Sequence, residues 1–280
     1  YQCDWSSDVC SSDLARRILM MQTPIVLVFL LAGPFLLKLI GPGFVDAWGI
    51  LMVLSLGAWA NGALGLTEFA LLSIRPLANP QASTLAIIGS GVQARSHLEA
   101  YQHVRQLKEV RIWSPRETSR QQFVNDMSPH VGFPIVNAPT AEAAVHGADL
   151  IVLVTSSPTP VIDHAWVSPG AHVVCVGACR PTQQEMPPAL VAQSALYVDS
   201  KAAALVEAGD IVMNISAGLF SESHIRGEIG ELVLGRIKGR TSPSEITVFK
   251  SLGMAVEDVV AADLVLRRAV EAGAGTELTL

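Results

Sequence analysis

Residues 85–94 read Leu-Ala-Ile-Ile-Gly-Ser-Gly-Val-Gln-Ala, a short apolar run that ends in Gly89-x-Gly91-x-x-Ala94 and passes into a helical pattern. Glycine lets the backbone turn sharply and come close to a bound group. The helix N-terminus that follows offers unpaired N–H groups and a partial positive charge. Holding a pyrophosphate is the chemistry such a turn serves, and Gly89, Gly91, Val92, Gln93 and Ala94 are the residues placed to do it. The motif is weak in isolation. Its context strengthens it: a strand precedes, a helix follows from Val92 to Gln106, and a second strand, Glu109-Val-Arg-Ile-Trp113, arrives about 20 residues on, as a βαβ unit requires.

The tip of that second strand reads Ser114-Pro115-Arg116. In a dinucleotide-binding βαβ unit an acid at this place binds the ribose 2′-hydroxyl of NAD, whereas a basic residue accommodates the 2′-phosphate of NADP. Arg116, with the Ser114 hydroxyl and Arg111 or Arg120 nearby, favours NADP(H); Glu117 keeps NAD(H) possible, and a solvated loop charge is the plain alternative for Arg116. Thr155, Ser156 and Ser157 follow an apolar run and are small enough to approach the adenosine side, or they simply end a strand and start a turn.

The elements that must position these residues are legible from Ser83 onward. Apolar runs at Leu85–Ile88, Val110–Trp113, near Val136, Asp149–Thr155, His172–Val176 and Leu196–Asp199 alternate with helical segments at Val92–Gln106, Ser119–Met127 and Thr140–His146. Thr140 is a helix N-cap, with Glu142 in the first turn. Strands alternating with helices imply a doubly wound α/β fold with a parallel sheet, and the loops after the strands should line the ligand crevice.

The chain has 280 residues and a net charge of −6, so it carries no basic footprint for nucleic acid. Half of it is apolar, and that excess concentrates before residue 80. Of the four cysteines, Cys175 and Cys179 lie in or just after an apolar strand without metal-ligand spacing. They read as buried free thiols of a reducing, cytoplasmic compartment, and no metal site is expected. Residues 4–14 (Asp-Trp-Ser-Ser-Asp-Val-Cys-Ser-Ser-Asp-Leu) match the conceptual translation of a common sequencing-adapter oligonucleotide, and residues 1–14 are set aside as an artefact of the gene sequence. The hydrophobic stretches 18–41 and 48–66, joined by Gly41-Pro42-Gly43, are either a damaged or divergent N-terminal domain or, if genuine, a pair of membrane helices.

The chain resembles the ornithine cyclodeaminase/mu-crystallin family. The resemblance is carried by Ile88-Gly-Ser-Gly-Val-Gln-Ala-Arg-Ser-His97, Val110-Arg-Ile-Trp113, Val176-Gly-Ala-Cys-Arg-Pro181, Tyr197-Val-Asp-Ser200 and Thr247-Val-Phe-Lys-Ser-Leu-Gly-Met-Ala-Val-Glu-Asp258, and covers about residues 77–268. It implies a Rossmann NAD(P)-binding domain plus an N-terminal/C-terminal substrate and dimerisation domain, incomplete here. The expected organisation is residues 15–77 as the damaged or divergent N-terminal segment, 78–253 as the Rossmann domain and 254–280 as a C-terminal helix returning to the dimerisation domain. The resemblance further implies a homodimer that moves a hydride between nicotinamide and the α-carbon of an amino or imino acid.

The resemblance also assigns residues. Ser200 falls at the crevice edge, and Lys250, Ser251 and Leu252 belong to a loop beside the nicotinamide. The loop Val176-Gly-Ala-Cys-Arg-Pro181 has Cys179 where ornithine cyclodeaminases carry an aspartate that acts on the substrate amine. Cysteine supplies no fixed anion, so the chain looks closer to the ketimine-reductase or alanine-dehydrogenase branch, with a non-catalytic ligand-binding protein or an ornithine cyclodeaminase as alternatives. The family's Arg-Thr pair before the Rossmann domain is missing near Gly65–Ile74. Lys38 is the candidate for the active-site lysine, against the plain reading of a lysine snorkelling from an apolar run.

Overall fold

A computed structural model of the chain describes residues 68–254 and positions 259, 263, 264, 266–268, 270, 271 and 273. Lys38, the adapter-like segment and the hydrophobic stretches before residue 67 lie outside the described residues. Among the described residues no helix is long and apolar enough to cross a membrane. Leu66–Gly253 forms one compact unit.

That unit is built around eight parallel strands. They are β1 (Thr84–Ile88), β2 (Glu109–Trp113), β3 (Ile135–Asn137), β4 (Leu150–Leu153), β5 (His172–Cys175), β6 (Ala195–Val198), β7 (Ile225–Glu228) and β8 (Thr247–Lys250). Their order in the sheet is β3-β2-β1-β4-β5-β8-β6-β7. β1 pairs with β2 on one side and β4 on the other, so the strand order reverses between β1 and β4. In open α/β sheets such a reversal leaves a crevice at the carboxyl ends of the strands.

Strand composition explains the layers. β4, β5, β6 and β8 are buried along their whole length, as expected of strands covered on both faces. Alternate side chains then feed two cores. Leu85, Ile87, Leu150, Val152, Tyr197 and Phe249 join one cluster, while Ala86, Ile88, Ile151, Leu153, Leu196 and Val248 join the other. On the first face lie α1 (Glu68–Leu77), α2 (Val92–Val104), α3 (Glu117–Met127) and α8 (Ile229–Val233), through Ile74, Leu98, Phe123 and Leu232. On the second lie α4 (Ala141–Val145), α5 (Pro188–Gln193), α6 (Lys201–Glu207) and α7 (Gly209–Ser216), through Val145, Leu190, Ala204 and Ile211.

α1 belongs to this unit because Ala70, Ile74 and Leu77, spaced along one helical stripe, enter the first core. It is also tied by polar contacts. Ser73 Oγ lies 3.0 Å from His172 Nε2, and Thr247 donates its hydroxyl to Leu77 O at 2.9 Å.

Two elements differ from the sequence expectation. Lys250 is not a loop residue: with Phe249 it ends β8, which inserts between β5 and β6 inside the sheet. β7 has no apolar run to announce it, because Ile-Arg-Gly-Glu is an edge strand exposed along part of its length.

Candidate functional site

The carboxyl ends of the strands bring the sequence-predicted residues to one edge. At the first, Gly89 turns with φ +120, a conformation in which an L side chain is strained. A Cβ there would stand 2.6 Å from Val154 O, so glycine is required both by the turn and by the adjoining β4 end. Gly89 N donates to Trp113 O at 2.8 Å, which binds the turn to the end of β2. Gly91 is the N-cap of α2 and makes no side-chain cap; a Cβ there would meet nothing within 4 Å. That open space lies at the N-terminus of α2, where Val92 and Gln93 form the first turn and Ala94 is buried against the sheet.

The β2 tip is held from below. Ser114 Oγ accepts from Ser90 Oγ at 3.0 Å, and Arg120 donates to Ser114 O at 2.6 Å and to Asn137 Oδ1 at 2.7 Å. Arg111 donates to Glu109 at 2.5 Å and to His146 O at 2.6 Å. Both of these arginines are thus engaged by neighbouring groups of the protein. Pro115 and Arg116 are exposed, with Arg116 at the N-cap of α3. Arg95, one turn into α2, donates to Ser90 O at 2.8 Å, pairs with Asp126 at 2.6 Å and lies 5.3 Å over the Phe123 ring.

After β4, Thr155, Ser156 and Ser157 form a tight turn, with Ser157 N donating to Thr155 Oγ1 at 3.1 Å and Ser157 Oγ to Thr159 O at 2.7 Å. After β6, Ser200 caps α6, its hydroxyl accepting from Ala203 N at 3.4 Å. After β8, Ser251 N donates to Cys175 O at 2.9 Å, while Leu252 N and Gly253 N donate to Asp199 Oδ2 at 2.5 and 2.8 Å. The amides of Leu252 and Gly253 thus define the loop's shape, and Lys250 lies fully buried beneath it.

Sequence reasoning missed what Lys250 is buried among. Its ammonium donates to Ser251 O at 3.1 Å and Cys175 O at 3.4 Å, beside the fully buried carboxyls of Glu185 and Asp210. Burial alone would lower the Lys250 ammonium; Cys175, Asp210, Cys179 and Glu185 outweigh it and hold it above its ordinary value. Burial pushes the Glu185 and Asp210 carboxyls up, and the Cys175 thiol well up. A buried charge must be hydrogen-bonded, and the Ser251 and Cys175 carbonyls do this for the Lys250 ammonium. The one sequence signal for it was a lysine inside an apolar strand run. Cys175 is a buried free thiol as expected, whereas Cys179 is half-buried, its Sγ donating to Val176 O at 3.1 Å. Among the described residues no group of acids, histidines and cysteines could hold a metal ion.

The profile of the ornithine cyclodeaminase/mu-crystallin family matches residues 70–273. The chain is 37% identical over 208 residues to the Delta(1)-pyrroline-2-carboxylate reductase of Bacillus cereus, covering 74% of this chain and 64% of that one. It is 40% identical over 194 residues to the ketimine reductase mu-crystallin of Mus musculus, covering 69% and 58%. The chain therefore spans less than two thirds of the length of these relatives. Among solved structures, that of Thermococcus litoralis Delta(1)-pyrroline-2-carboxylate reductase in complex with NADH and L-proline superposes with a TM-score of 0.73 at 32% identity, over 82% of this chain and 68% of that one. With a matching profile over most of its length and a parallel sheet whose glycine turn lies at the strand reversal, the chain belongs to the ornithine cyclodeaminase/mu-crystallin family.

Proposed function

We propose that this chain is an NAD(P)H-dependent oxidoreductase that interconverts imino and amino acids, of the ketimine-reductase or alanine-dehydrogenase type. The observation that carries the reading is the Gly89–Ala94 turn at the carboxyl edge of the sheet, beside the β1/β4 reversal. Its fit to a dinucleotide is testable in the backbone. Gly89 holds a conformation reserved for glycine, and Gly91 leaves open space at a helix N-terminus, where a pyrophosphate is favoured by free N–H groups and the helix dipole.

The residues divide by the half of the cofactor they serve. Gly89, Gly91, Val92, Gln93 and Ala94 receive the pyrophosphate. Ser114, Pro115 and Arg116 receive the adenosine ribose, and Arg116 gives the preference for NADP(H) over NAD(H). Thr155, Ser156 and Ser157, placed by sequence towards the adenosine side, follow β4 across the reversal from the β2 tip, and with Ser200 they line the middle of the edge; Lys250, Ser251 and Leu252 support the nicotinamide side. When bound, the dinucleotide supplies the hydride that converts a C=N carbon to an amine carbon. The protein's contribution is to orient the small imino acid against it and to donate a proton, the role we assign to Lys38. Cys179 argues against ring-closing deamination of a diamino acid. Burial raises its thiol above the ordinary value, so it presents no anion to a substrate ammonium. The working form is a cytoplasmic homodimer.

The substrate named for two relatives provides the assay. The full chain, mixed with NADPH and Δ1-pyrroline-2-carboxylate, is expected to consume nicotinamide absorbance and release proline. Lys38→Met is expected to lower kcat about 100-fold or more, the scale of a lost general acid. Saturable NADPH binding without turnover would assign a ligand-binding role instead, and absence of binding would overturn the reading.

A further inference from the structure

One buried carboxylate ties together the loops that follow β4 and β5. Glu185 Oε1 accepts from Thr155 N at 2.5 Å, and Oε2 accepts from Gly177 N at 2.9 Å and from the Cys175 thiol at 3.4 Å. The carboxylate is itself held: the amides of Glu185 and Met186 donate to Asp210 Oδ1 at 2.8 and 2.9 Å, anchoring this segment to α7. From the end of β8, Lys250 donates to the carbonyls of Cys175 and Ser251. The loops approach so closely that a Cβ on Gly177 would collide with Thr155 O and with the Glu185 carboxylate.

The turns at the other end of the edge have separate supports. Gly89 is bonded to Trp113 O, and Ser114 O to Arg120. The sheet reversal puts the glycine turn and β2 tip on one side and the ends of β4, β5 and β8 on the other. A dinucleotide lying across the reversal has its adenosine half on the first side and its nicotinamide half on the second.

We propose that Glu185 is a positioning residue for the nicotinamide half of the cofactor. This rests on the dinucleotide reading given above. Its carboxylate fixes the separation of the Thr155 and Gly177 loops. It touches neither cofactor nor substrate; it acts through the backbone it holds, as groups supporting a preorganised site do. Glu185→Gln keeps the side-chain volume, removes the charge beside Lys250 and turns one acceptor into a donor facing an amide N–H.

The test uses the full chain and two probes, NADPH and 2′-phospho-ADP-ribose, which lacks the nicotinamide. In Glu185→Gln the NADPH dissociation constant is expected to rise about tenfold or more, the scale of lost charge-assisted hydrogen bonds. That of 2′-phospho-ADP-ribose is expected to stay within about twofold. Equal weakening of both probes, or of neither, overturns the positioning role and leaves the dinucleotide reading intact. Wild-type chain that binds neither probe overturns the dinucleotide reading itself. Should Glu185→Gln lose its helical circular dichroism, Glu185→Asp, which retains the charge but withdraws the carboxylate by one methylene, is judged by the same comparison.

Discussion

Gly89→Ala and Gly91→Ala separate the two reasons for a glycine in this turn. At Gly89 the backbone has φ +120 and a Cβ would lie 2.6 Å from Val154 O. The disallowed conformation costs about 1–3 kcal/mol, and forcing an atom into a packed place costs about 1–3 kcal/mol more. The expected loss of stability is about 2–6 kcal/mol, a fall in Tm of roughly 4–24 °C for a domain of this size. At Gly91, φ is −81 and a Cβ meets no atom of the protein. Alanine there forfeits only the N-cap preference for glycine, about 1 kcal/mol or less. Yet that open space is where the pyrophosphate should approach, and overpacking it costs about 1–3 kcal/mol of binding, or roughly 5- to 150-fold in Kd. Differential scanning calorimetry and fluorescence titration with NADPH measure both quantities on the same samples. Gly91→Ala should bind weakly while melting almost as the wild type does; Gly89→Ala should lose both. Unimpaired NADPH binding by Gly91→Ala would refute the assignment of this turn to the pyrophosphate.

Other expectations follow from single contacts. Arg116→Ala should weaken NADPH by about 10- to 100-fold, the scale of a lost hydrogen bond to a charged group, and leave NADH nearly unchanged; equal effects on the two would remove Arg116 from cofactor selection. Asp149 Oδ2 accepts from Ser83 N at 2.8 Å and Thr84 N at 3.0 Å, so Asp149→Ala should lower stability in urea by about 1–3 kcal/mol without altering the NADPH to NADH ratio. Burial holds His172 down to about 3 and His97 down to about 4. The unfolded chain takes up these protons near pH 6.5 and the folded chain does not, so both contribute stability at neutral pH that is lost as pH falls from about 6.5 towards 4. Each contributes a slope of about 1.4 kcal/mol per pH unit; His172→Asn should lower the neutral plateau and flatten this acid limb, and an unchanged limb would contradict the buried neutral state.

The sequence made one half of the site plain. The apolar run, glycine turn and helix at 85–104 are local, and each residue's role follows from its neighbours. The Thr140 cap is equally local, with Ala143 N donating to Thr140 Oγ1 at 3.0 Å. What was hidden is non-local. Thr-Val-Phe-Lys lies inside the sheet only because β5 and β6 flank it, and its lysine is buried in the field of Glu185 and Asp210, which are remote in sequence. The second strand tip shows the same limit: Arg111 and Arg120 were candidates by proximity, but Glu109, His146, Ser114 and Asn137 engage them.

Every role proposed above depends on a nicotinamide dinucleotide lying along the carboxyl edge of this sheet. Titrating the full chain with NADPH by isothermal calorimetry, with 2′-phospho-ADP-ribose as competitor, tests it most directly. A saturable one-to-one isotherm is expected, which the competitor displaces and Gly91→Ala weakens. An isotherm without saturation at millimolar nucleotide, from protein that is folded by circular dichroism, would contradict it.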